Sequence, residues 1–267
     1  MNRIIDYKNK KISYSVQGTG PSLVFLHGYL EYKELWSDFV LSFKQNYQIF
    51  CIDLPGHGDS ESIGDIHTMK EMAQVVKLIL DRNSVKQSVI IGHSMGGYVA
   101  LAFADYFAEI TTGLVLFSSS ALNDSSEKKM ARNRDIELIQ NGKKALVVDS
   151  NIPKMFASKN RIRFNSKINE IKNKVKEMKD NAIIAALEGM KIRLNYQDLL
   201  DSSVIPILFI AGELDELIPI KVSEEQIKKE SNGLSFKLLE ESGHMGYLEE
   251  DKKAQSIISN FLLKIGF

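Results

Sequence analysis

A chain of 267 residues with 34 basic and 34 acidic side chains carries no formal net charge, and 44% of it is hydrophobic and 25% charged. These are ordinary globular values, and they exclude disordered, collagen-like and coiled-coil chains. Neutral balance also argues against a dedicated nucleic-acid binder, which needs clustered cations to displace counterions from phosphates.

In chain order, Ile4 to Tyr7 and Lys11 to Val16 are suited to pair as a hairpin at a sheet edge. Leu23-Val24-Phe25-Leu26 is a strand-like run stopped at His27-Gly28, and Tyr47 to Ile52 is a second, stopped at Asp53-Leu54-Pro55-Gly56. Ser88 to Ile91 ends at Gly92, and Leu114 to Phe117 ends at Ser118. Short apolar runs cut off by Gly, Pro or Ser are the mark of strands buried on both faces of a parallel sheet. Helical spacing fills the gaps, over Met69 to Leu80 and Met95 to Phe107. The alternation predicts a doubly wound α/β sheet.

The pattern then breaks. From about Leu122 to Leu200 no comparable strand run occurs, and Lys, Asn and Glu recur at helical spacing. Ile205 to Ile210 resumes the strand type, and Leu234 to Leu239 adds another. A core domain of residues 1–121 and 201–267 is therefore expected, interrupted by a helical insertion at 122–200. Residues 121–200 hold 17 basic and 10 acidic side chains, a net of +7, so the remainder carries −7. Solvated Lys-rich helix faces explain this most simply; a preference for anionic substrates or surfaces is the sharper alternative.

The single cysteine, Cys51, follows Ile49-Phe50 and is expected to be a buried thiol. The five histidines form no HxxxH pair and there is no CxxC, so neither metal nor other cofactor is expected. The first residues lack the apolar run of a secretory signal, and no stretch has the length of a membrane span. A cytoplasmic location without membrane insertion is the expectation, with oligomeric state left open.

Gly92-His93-Ser94-Met95-Gly96-Gly97 lies between a strand and a helix. This is a GxSxG nucleophile elbow in the context it requires. Its serine occupies a sharp turn that lifts the hydroxyl above the sheet edge, while the glycines let strand and helix approach. A serine hydroxyl needs a base. His244, in Glu241-Ser242-Gly243-His244-Met245-Gly246 just past the last strand, can reach the same edge. His27 and His57 sit in glycine turns, His67 on a polar connector, and His93 is expected to project into packing. The base in turn needs a carboxylate to fix its tautomer. Asp215, in Ala211-Gly212-Glu213-Leu214-Asp215-Glu216, is favoured over Glu213 and Glu216, with a turn-capping role ahead of Pro219 as its plainer reading and Asp198 and Asp201 as outside candidates. The developing oxyanion requires donors. The backbone N–H groups of Met95 and Tyr29 are the expected pair, Gly28 allowing its loop to bend towards the site.

Along nearly its whole length the sequence resembles the α/β-hydrolase superfamily. His27-Gly28, Asp53-Leu54-Pro55-Gly56-His57-Gly58-Asp59-Ser60, Gly92 to Gly97, Gly212…Asp215…Pro219 and Gly243-His244 occur in that family's order. The resemblance implies an eight-stranded, mostly parallel sheet with helices on both faces, and makes the insertion a lid. It also implies a structural role for Asp53 and His57 and a core position for Trp36.

Ser94 stands where dehalogenases and epoxide hydrolases of this superfamily carry an aspartate, so both are disfavoured. The leading expectation is a serine hydrolase of small or medium carboxylic esters, acting through an acyl-enzyme with Ser94, His244 and Asp215. The alternative is a carbon–carbon hydrolase or lyase of the menaquinone-pathway type. That group commonly has an arginine after the two glycines, suited to a substrate carboxylate; here the position is Tyr98. Arg132 or Arg134 could substitute, although exposed helix charge is their plainer reading. A ligand-binding receptor on this fold is the third possibility. Met130, Met155, Phe156, Phe164, Met178 and Met190 are the insertion's candidates to face the site, and Tyr29 and Met95 are placed to offer side chains as well.

Overall fold

The computed structural model describes residues 2–202, 204–227 and 233–267. The chain opens with an antiparallel hairpin of β1 (Asn2–Tyr7) and β2 (Lys10–Gln17). Its two-residue turn places Lys8 and Asn9 at φ 53° and 63°, the pair of positive φ values whose twist matches the flanking strands. Then follow β3 (Ser22–Leu26), β4 (Gln48–Ile52), α1 (Met69–Arg82), β5 (Ser88–His93), α2 (Met95–Tyr106) and β6 (Thr111–Phe117). Among the described residues, five α-helices lie between β6 and the next strand: α3 (Ser126–Gln140), α4 (Lys144–Lys154), α5 (Asn165–Glu177), α6 (Asp180–Lys191) and α7 (Gln197–Ser202). The chain ends with β7 (Ile207–Gly212), α8 (Ile220–Gln226), β8 (Leu234–Leu239), α9 (Gly246–Glu249) and α10 (Asp251–Lys264).

The eight strands form one sheet in the order β1-β2-β4-β3-β5-β6-β7-β8. Among the described residues, only the pairings of β2 with β1 and β4 are antiparallel. Strands β3, β5 and β7 are buried at every residue, as expected for a parallel sheet covered on both faces. β7 starts two residues later than its apolar run because Pro206 has no N–H to donate to a ladder. α1 buries Met69, Met72, Ala73, Val76, Ile79 and Leu80, a stripe at helical spacing, and Thr68 caps it by accepting the Glu71 amide. α2 is buried nearly all round, from Met95 to Ala104. No helix among the described residues is long and apolar enough to cross a membrane.

From β3 the chain steps to β4 on one side and later to β5 on the other, so strand order reverses at β3. In open α/β sheets, ligands bind outside the carboxyl ends of the strands at such a switch point. The loops following β3, β5, β7 and β8 all leave from that edge.

Candidate active site

Ser94 sits between β5 and α2 at φ 49°, ψ −113°, a conformation that side chains other than glycine rarely adopt. The neighbouring glycines explain how it is held there. A Cβ on Gly92 would come 2.3 Å from the Gly96 carbonyl oxygen, and one on Gly96 would come 2.4 Å from that of Leu26. Strand and helix therefore touch backbone to backbone. The Ser94 N–H donates to Phe117 O at 2.9 Å, and the Ser119 hydroxyl donates to Ser94 O at 2.8 Å, clamping the turn on both sides.

Asp215 lies in the loop after β7 and is buried. Its Oδ1 accepts the amides of Leu217 and Ile218 at 2.8 and 2.9 Å. Its Oδ2 accepts Nδ1–H of His244 at 2.7 Å. Burial alone would raise this carboxyl, but His244 beside it and the two amides outweigh that and hold it below the usual range. With Nδ1 donating to a carboxylate, Nε2 of His244 is left free to accept a proton. Glu213 and Glu216 are exposed, and Glu216 pairs with Arg161.

Ser94 and His244 line one cavity of about 220 Å³. Tyr29, Leu30, Tyr98, Leu217 and Ile218 contribute from the sheet side, and Arg132, Asp135, Asn151, Met155, Leu187 and Met190 from α3 to α6 and their connections. Among the described residues, no turn, loop or cap hydrogen bond takes up the amides of Tyr29 or Met95. By contrast, the backbone N–H and carbonyl of Gly28 are both held. Its N–H donates to Glu31 at 2.9 Å, and its carbonyl accepts Nδ1–H of His27 at 2.8 Å. His27 Nε2 in turn accepts the Leu54 amide, so this ring is neutral, and burial pushes it down to about 4.

A larger cavity of about 450 Å³ lies elsewhere, between the 56–65 loop and the start of α6. Its lining contains no histidine or cysteine and no paired nucleophile and base. Glu34, Asp53 and Asp59 have the spacing of metal ligands, yet Lys33 Nζ already sits among them at 2.6, 2.7 and 3.1 Å. An ammonium thus fills the place a cation would take. Cys51 is buried and unbridged, and burial pushes its thiol up to about 12.

The insertion corrects several expectations. Met155 and Met190 do line the cavity, but Met130 is exposed, Phe156 packs on Phe164, and Met178 borders the larger cavity. Met95 is fully buried away from the cavity, whereas Tyr29 faces it. Arg134 is exposed as expected, but Arg132 is not. Its guanidinium donates to both oxygens of Asp124, at 2.5 and 3.2 Å, and borders the cavity. Arg193, which also pairs with Asp124, lies 4.0 Å over the Tyr98 ring. His67, on its polar connector, is fully buried, and its backbone N–H donates to Ala185 O of α6. Sequence reasoning gave Glu31 no role, and nothing in the local pattern Tyr29-Leu30-Glu31-Tyr32 singles it out.

The α/β hydrolase fold family matches residues 21–251. Monoacylglycerol lipase ABHD6 of Mus musculus is 23% identical over 98% of this chain and 82% of its own length. The pimeloyl-(acyl-carrier protein) methyl ester esterase of Vibrio vulnificus is 27% identical over 90% of this chain and 93% of its own. Among solved structures, a thermophilic esterase from Thermogutta terrifontis superposes with a TM-score of 0.91, at 24% identity, covering 99% of both chains.

Proposed function

This chain belongs to the α/β-hydrolase family, and on that premise we propose that it is a serine hydrolase of small or medium carboxylic esters. In this reading Ser94 attacks the ester carbonyl while His244 Nε2 takes its proton. Asp215 holds the imidazole in the required tautomer and stabilises the imidazolium. The negative oxygen of the tetrahedral intermediate is received by the Tyr29 and Met95 amides, at the start of α2 where the helix dipole favours an anion. His244 returns its proton to the departing alcohol, and an acyl-enzyme remains. Water, activated by the same base, then releases the acid and restores Ser94.

The observation that carries this reading is the 2.7 Å bond from His244 to Asp215, made in a cavity that His244 shares with the strained Ser94. The relatives named as a lipase and an esterase support an ester as substrate. A cavity of about 220 Å³ lies below the roughly 300–1,000 Å³ of sites for drug-sized ligands, which favours small or medium acyl groups. The helices of residues 122–200 act here as a lid, since their side chains complete the cavity wall.

The test is hydrolysis of p-nitrophenyl esters from acetate to long acyl chains, with Ser94→Ala alongside. Turnover abolished by the substitution supports the reading, and the chain-length optimum measures the cavity. A wild type that is inert to these esters but labelled at Ser94 by a fluorophosphonate would move carbon–carbon cleavage ahead. Labelling with a single slow turnover would favour a receptor.

A further inference from the structure

Beneath the cavity floor lies a buried acid–base pair that the triad chemistry does not use. Glu31 and His93 are both fully buried. His93 Nδ1 lies 2.8 Å from Glu31 Oε1 and 3.0 Å from Oε2. Oε2 also accepts the Gly28 amide at 2.9 Å and the Tyr247 hydroxyl at 3.2 Å. On the far side of the ring, Nε2 of His93 lies 2.9 Å from the backbone carbonyl of His244. A carbonyl can only accept, so Nε2 carries a proton; Nδ1 faces Oε2, an oxygen already accepting from the Gly28 amide and the Tyr247 hydroxyl as a carboxylate does, so Nδ1 carries one too. The pair is imidazolium against carboxylate. Burial opposes both charges, but each partner outweighs it for the other, holding Glu31 below and His93 above their usual ranges. The other titratable groups around His93 are His27, His244, Asp215 and Tyr247.

Replacing a buried ion pair by apolar side chains is often neutral or stabilising, so stability is a weak reason for keeping one. This pair joins three loops that are far apart in sequence. Glu31 holds Gly28, the residue before the Tyr29 amide. His93 directly precedes Ser94. Its ring holds the carbonyl of His244, and Glu31 also holds Tyr247, on which Trp36 stacks at 4.0 Å. A Cβ on Gly28 would come 2.5 Å from Glu31 Oε1, so that loop rests directly on the carboxylate.

We infer that Glu31 and His93 are positioning residues whose buried pair sets the Tyr29 amide and the His244 ring in register with Ser94. The inference rests on the triad reading above. Removing the pair leaves substrate contacts untouched and loosens the geometry of attack, so the loss falls on kcat and not on KM.

The experiment compares wild type, Glu31→Ala and Glu31→Gln on p-nitrophenyl acetate, with fluorophosphonate labelling of Ser94 and ¹⁵N NMR of the histidine rings. Glu31→Ala is expected to lower kcat about 100-fold, the effect of misplacing a reacting group by about 1 Å, with KM within about three-fold. Glu31→Gln is expected to recover to within about ten-fold of wild type, because its amide can donate to His93 Nδ1 while its carbonyl accepts from Gly28. In wild type, His93 should show both ring nitrogens protonated at about pH 8, where a free imidazole is neutral; in Glu31→Gln one of these protons should be lost. A folded Glu31→Ala with kcat within about three-fold of wild type, or a neutral His93 in wild type, overturns the inference. Should Glu31→Ala not fold, the NMR comparison of wild type with Glu31→Gln decides it. A wild type inert to both ester and fluorophosphonate sinks the triad reading itself, whereas a reactive wild type with an unaffected Glu31→Ala sinks only the positioning role.

Discussion

The floor and the roof of the cavity are built in different ways. The floor consists of loops at the carboxyl ends of β3, β5, β7 and β8, and backbone contact fixes it. Gly92 and Gly96 admit no Cβ, and Ser94 is clamped by Phe117 and Ser119. The roof, from α3, α4 and α6, is made of side chains: Arg132, Asp135, Asn151, Met155, Leu187 and Met190. It is tied to the core at several places: the Met245 amide donates to Met155 O, Glu249 accepts the amides of Ala157 and Gly243, the His67 amide donates to Ala185 O, and Tyr32 donates to Glu170. The difference teaches a division of labour. Around Ser94 the floor is held by backbone packing and the Ser119 hydroxyl, and around Gly28 and His244 by the buried Glu31–His93 pair, whereas the roof meets the cavity through side chains that can be exchanged singly.

Floor substitutions should therefore be far more damaging to turnover than roof substitutions. Ser94→Ala is expected to lower kcat by roughly 10⁴–10⁶-fold with the fold intact, checked by ester turnover and by circular dichroism. Asp215→Asn should cost on the order of 10³–10⁴-fold, because the amide favours the wrong imidazole tautomer. Comparable losses from a roof substitution such as Leu187→Ala would erase the distinction.

Acid should attack the structure from beneath the floor. Burial pushes His27 and His67 down to about 4 and His57 to about 3, so these rings stay neutral in the folded chain. Once unfolded they take up protons below about pH 6.5, so stability falls as pH drops from there to the folded values and then levels off. For His27 and His67 this amounts to roughly 3 kcal/mol each. His93 acts in the opposite sense, its pKa being raised: its contribution is complete below about pH 6.5 and is lost as pH rises through its folded value. Urea melts between pH 7 and 4 measure the balance, and His57→Gln should flatten the acid limb.

Gly92→Ala should destabilise the fold by about 3 kcal/mol, since its Cβ would meet backbone that cannot yield. Thermal melts check this. The smallest effect is expected from the roof. Met155→Ala should move the acyl-chain optimum towards longer esters while changing kcat/KM by about ten-fold or less, as one or two methylenes in an apolar pocket allow. An unchanged optimum would mean that the acyl group lies elsewhere in the cavity.

What the sequence alone determined is what backbone periodicity and turn chemistry encode. Short, mostly apolar runs stopped by Gly, Pro or Ser marked β3 to β7, and the elbow was legible because its glycines and serine must be contiguous. Asp215 and His244 were legible because each follows a strand of the same parallel sheet, and therefore emerges at the same edge. Tertiary structure decided the rest. Glu31 meets His93 across 62 residues, and His93 meets the His244 carbonyl across 151. No local pattern marks such a pair, because strand order, and not sequence spacing, brings the loops together. Arg132 turned out to be engaged with Asp124 and Arg134 exposed, although they sit two positions apart on one helix. Which helix face meets the core depends on how α3 packs, and a Lys-rich helix with few apolar anchors does not announce that face.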